Sequence, residues 1–154
     1  VIILAVYFIN TPKQTVSYKK SMLTDNISSF ETAEKTAMAL YEDGNEDGVW
    51  LFTVDTDANN LACYNGYEHL LYPLTEEQKK AFVTVKSVFR LDHLGFECLY
   101  VNENFATFGI ANGRASFIYS KSNQKPDFVN LAEITDKNRV YVEKITDNWF
   151  YACK

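Results

Sequence analysis

The sequence predicts an α+β fold, an antiparallel β-sheet of about five or more strands with two helices packed on one face. Three observations predict it. Two segments carry apolar residues at steps of three and four, the helical period. Beyond residue 95 the period shortens to two, as in half-buried strands. The order helix, strands, helix, strands also departs from the regular alternation of a parallel doubly wound sheet.

Residues 1–9, VIILAVYFI, contain no polar group except the Tyr7 hydroxyl. A nine-residue helix spans about 14 Å, half a bilayer core. The run is therefore expected to be the C-terminal part of a truncated membrane anchor, with Tyr7 and Phe8 suited to the interfacial belt. A buried strand is the competing reading, because β-branched and aromatic residues also favour strands. A signal-peptide core is a third. Lys13, Lys19 and Lys20 follow closely, and positive charge tends to stay cytoplasmic, so orientation is left open. Residues 10–26 have no period and read as a linker or extended arm, leaving 27–154 as a single α+β domain.

The first helix is expected over 28–42. Ser28 and Glu31 match a capping box, and Phe30, Ala33, Ala37, Leu40 and Tyr41 draw one apolar face. Gly44 ends it. A buried strand follows over 48–54, and Asn65-Gly66 suits a hairpin between 61–64 and 67–72. Pro73, then Thr75 with Gln78, opens a second helix whose face is Ala81, Phe82, Val85, Val88 and Phe89. Strands are expected over 96–102, 105–111 and 115–121, the last two joined at Asn112-Gly113. A final hairpin, 139–145 and 149–153, turns at Asp147-Asn148.

Composition narrows the function. The 154 residues carry a net charge of −5, which gives no electrostatic support to nucleic-acid binding. With 47% apolar and 23% charged residues the chain has an ordinary globular balance. Cys63, Cys98 and Cys153 form no C-x-x-C pair, so three buried thiols and one disulfide plus a free thiol both remain open. His69 and His93 lack a third ligand in sequence, and no H-E-x-x-H, P-loop, G-x-S-x-G or G-x-G-x-x-G is present. Ser17-Tyr18-Lys19-Lys20 spells the S-x-x-K of penicillin-binding enzymes without their K-T-G. Asn26-Ile27-Ser28 is a formal glycosylation sequon.

Two groups of residues are candidate sites. Asp43-Gly44-Asn45-Glu46-Asp47-Gly48 matches the first half of a calcium loop, and the resemblance to an EF-hand ends there. Position twelve is Val54 in place of Glu, so Asp43, Asn45, Asp47, the Val49 carbonyl and Asp55 would hold calcium weakly. No other cofactor is expected. Tyr64, Tyr67 and Tyr72 could make an amphipathic patch for a protein, peptide or glycan.

These readings make the chain a non-enzymatic binding domain, membrane-anchored through its N-terminal segment on the extracytoplasmic face. The alternative is a soluble, cytoplasmic inhibitor or immunity-type protein whose acidic residues 43–47 meet a basic target.

Overall fold

The computed structural model describes residues 19–42, 49–53, 59–64, 69–91, 96–110, 115–126 and 140–153. Residues 19–24 form a short helix, α1, followed by α2 (Ile27–Glu42). Three strands come next, β1 (Val49–Thr53), β2 (Asn60–Tyr64) and β3 (His69–Pro73), and then α3 (Glu76–Leu91). The chain continues as β4 (Phe96–Val101), β5 (Phe105–Ile110), β6 (Ala115–Ser120), β7 (Tyr141–Thr146) and β8 (Trp149–Cys153). All pairings are antiparallel, in one eight-stranded sheet ordered β3-β2-β1-β4-β5-β6-β8-β7. The class is α+β, as the two periods in the sequence predict.

Register explains the core. Residues directly opposite one another on neighbouring strands share a face of the sheet. One such row crosses every strand: Leu70, Cys63, Leu51, Leu99, Phe108, Phe117, Tyr151 and Glu143. From Cys63 to Tyr151 the row is buried, and it joins residues of all three helices in one core cluster. Phe30 of α2 is its hub. Its ring lies 5.3 to 5.9 Å from those of Phe89, Phe108, Phe117 and Trp149, in edge-on arrangements. The positive edge of one ring meets the negative face of the next, adding about 0.5–1.5 kcal/mol per pair beyond area burial. A smaller buried cluster, Ile118, Phe150 and Ala152, lies on the opposite face of β6 and β8.

The helix starts differ in an instructive way. At α3 the expected capping box is present, Thr75 N–H donating to Gln78 Oε1 at 2.9 Å and Gln78 N–H to Thr75 Oγ1 at 3.3 Å. At α2 the helix begins before Ser28, whose carbonyl already accepts a bond from the Thr32 hydroxyl inside it. Asn26 takes the terminal role. Its carbonyl accepts the Ser29 and Phe30 amides, and its Nδ2 donates back to the Met22 carbonyl of α1.

The linker expected over 10–26 is corrected where it is described. Residues 19–24 are helical, and Met22 and Leu23 are buried in the core cluster. The packed unit therefore includes residues before 27. The apolar run 1–9 lies outside the described residues, and no described helix is long and apolar enough to cross a membrane. Cys63 and Cys153 are free thiols.

Candidate functional site

The sequence-predicted residues fall in different settings. Asp43, Asn45, Asp47, Asp55 and Tyr67 lie outside the described residues. Val49 opens β1 in register with Val101, so a strand follows the acidic stretch of sequence. No group of three or more His, Cys, Asp or Glu able to hold a metal occurs among the described residues. Tyr64 ends β2 opposite His69 and Trp50, whereas Tyr72 sits in β3 opposite Leu61 and packs half-buried against the core. His93 and Ser17 lie outside the described residues, while Lys19 is buried with its ammonium 3.6 Å from Met22 Sδ. Burial pulls the Lys19 pKa down to about 8.

Among the described residues, β3 and β7 are the two ends of the sheet, and they are chemically unlike. At one end β3 exposes Leu70 by 44% and Leu71 by 62%. Leu70 is paired with Cys63 on the core-facing side, and Leu71 is paired with Ala62 on the other. The terminal strand thus offers an apolar side chain on each face. At the other end β7 carries Tyr141, whose hydroxyl donates to Glu143, and Lys144, which pairs with Asp147 at 3.0 Å. Charged side chains on a terminal strand oppose the addition of another strand. β7 is guarded in that way and β3 is not.

A second feature lies between α2 and β6. Glu34 is only 6% exposed and lines a cavity of about 210 Å³ with Lys35, Met38, Ala39, Tyr119 and Lys121. Its carboxyl has no hydrogen bond or ion pair among the described residues. Loss of hydration disfavours its charged form and raises its pKa from 4.5 to about 7. Lys35 and Lys121 pull the other way, and Glu31 adds to the rise. The Tyr119 hydroxyl is pushed up by burial and by Glu34 and Glu31. Across the cavity wall, the Tyr119 ring rests edge-on against Trp149 at 5.4 Å.

Sequence reasoning missed Glu34, Leu70 and Leu71. For Glu34 a signal existed, since it stands one turn from Phe30 and from Met38 within the apolar stripe of α2. For the leucines it did not, because the end position of β3 follows from pairings distant in sequence.

No protein-family model, curated protein or solved structure matches this chain.

Proposed function

We propose that this chain is a non-enzymatic interaction domain that receives an extended segment of a partner protein along β3. The observation that carries the reading is the unequal pair of sheet ends. An end strand has main-chain N–H and C=O groups directed away from its neighbour, and an incoming strand can pair with them. Leu70 and Leu71 would then bury apolar surface on both faces of the added strand, at roughly 25 cal/mol per Å². Tyr72 is held against the core beside them and supplies a half-buried aromatic wall. Backbone pairing gives affinity with little sequence demand, while alternate side chains of the partner set specificity.

The test is selection of peptides of about ten residues from a random displayed library. Selected peptides should slow amide exchange at Leu71, whose N–H the register directs away from β2. They should lose binding to Leu71→Pro, which removes a main-chain donor from the strand. Peptides that bind Leu71→Pro as well as the native chain, or protect amides elsewhere, would refute the reading.

A further inference from the structure

We propose that the cavity between α2 and β6 binds a small zwitterion of the α-amino-acid class, its ammonium on Glu34 and its carboxylate toward Lys35 and Lys121. The first argument is the state of Glu34. The residue is only 6% exposed and its carboxyl has no hydrogen-bond donor among the described residues, a setting that disfavours the charged form. A ligand ammonium supplies three N–H donors to that carboxyl, together with a positive charge that favours its ionised form. The side chain is already buried and packed in α2, so little ordering is needed to receive them.

The second argument is the sign of the surrounding charge. Lys35 and Lys121 line the same cavity and are exposed toward solvent. A simple organic cation would meet repulsion from both lysines. A simple carboxylate would meet Glu34. A molecule with both charges on neighbouring atoms satisfies the two ends together, and discrimination then comes from repulsion as well as attraction.

Size and lining narrow the class. A volume of about 210 Å³ is below the 300–1,000 Å³ of drug-sized pockets, so the ligand is small. Met38, Ala39 and the ring of Tyr119 provide apolar wall, which suits a short aliphatic side chain. Proton linkage gives a signature. Empty, Glu34 keeps its proton up to about pH 7, with Glu31, Lys35, Lys121 and Tyr119 as the groups that bear on it. Bound, it is ionised against the ammonium, so binding releases a proton below that pH and weakens as pH falls.

L-Valine is a suitable probe, with isobutylamine and isovalerate as its single-charge counterparts. In NMR titrations up to about 10 mM, L-valine should shift the Tyr119 ring and α2 amide signals saturably. It should bind at least tenfold more tightly than either counterpart. Affinity should fall about a hundredfold from pH 8 to pH 5, as expected for a site that must ionise near pH 7. Glu34→Gln, which keeps the side-chain shape, should weaken binding tenfold or more and remove the pH dependence, and its unchanged amide spectrum would confirm folding. Absence of saturable shifts with L-valine overturns the proposal. So does equal binding by Glu34→Gln, or binding of isobutylamine as tight as that of L-valine.

Discussion

Asn123 accepts a 2.7 Å hydrogen bond from the backbone amide of Asn148, and both residues hold left-handed backbone, at φ 59° and 65°. Asn148 Nδ2 also donates to the Ser120 carbonyl at 2.7 Å and to the Lys121 carbonyl at 3.3 Å. The β7–β8 turn is thereby stitched to the end of β6, where Ser120 N–H returns a bond to the Asn148 carbonyl.

Asn148→Ala should therefore destabilise the fold by about 2–3 kcal/mol, combining the lost side-chain bonds with the loss of asparagine's tolerance of left-handed backbone. Asn148→Gly keeps the backbone conformation and should lose about 1 kcal/mol. Urea unfolding of the two variants separates the contributions. Equal losses would contradict a role for the positive φ angle.

Phe30→Ala removes the ring shared by four aromatic contacts. Its expected loss is about 3–5 kcal/mol, as for other fully buried aromatic residues. Val83→Ala, at an exposed position on α3, should change stability by less than about 0.5 kcal/mol. Comparable losses in chemical denaturation would mean that Phe30 is not the hub of the core.

The pH dependence of stability should carry the mark of Glu34. Its folded pKa of about 7 lies above its ordinary 4.5, so the folded state retains a proton that the unfolded state releases. That contribution is fully present below pH 4.5 and is lost as pH rises through 7. Relative to Glu34→Gln, the native chain should lose stability across this window. Parallel curves for the two proteins would place the carboxyl in water.

Leu71→Lys should leave folding stability within about 0.5 kcal/mol, because the side chain is largely exposed. The same change should abolish capture of the selected peptides by placing a charge on the end strand. A large fall in melting temperature would show instead that Leu71 supports the fold.

Thr75→Ala should cost about 1 kcal/mol through loss of its bond to the Gln78 amide. Gln78→Ala removes the reciprocal bond to the Thr75 amide. Because the two bonds form one box, the double variant should be less destabilised than the sum of the singles. A strictly additive result would argue against coupling.

The elements were largely legible in the sequence because their patterns are local. Thr75 and Gln78 announce α3 through side chains that bond amides three residues away. Asn148 announces its turn through a conformation its side chain tolerates. Ser28 and Glu31 misled because Asn26, bonded back to α1, starts α2 first. The sheet order was not legible, since β1–β4 and β6–β8 pair across intervening elements. The exposure of Leu70 and Leu71 depends on that order, and the burial of Glu34 depends on where β6 crosses α2. The acidic residues Asp43, Asn45, Asp47 and Asp55 lie outside the described residues.

The pairing of Leu51 with Leu99 joins two strand meanders, β1–β3 and β4–β6, at a single seam. Within each meander, neighbouring strands pair after short ring closures, which lose little entropy. The seam forms only after the chain has closed around β2, β3 and α3, and such non-local closures slow folding. Before it forms, β1 and β4 present two matching unpaired strands. At high concentration, each can pair with its counterpart in another molecule before finding its own. An exchanged dimer, in which two chains trade their β1–β3 meanders, would preserve the pairing of β1 with β4.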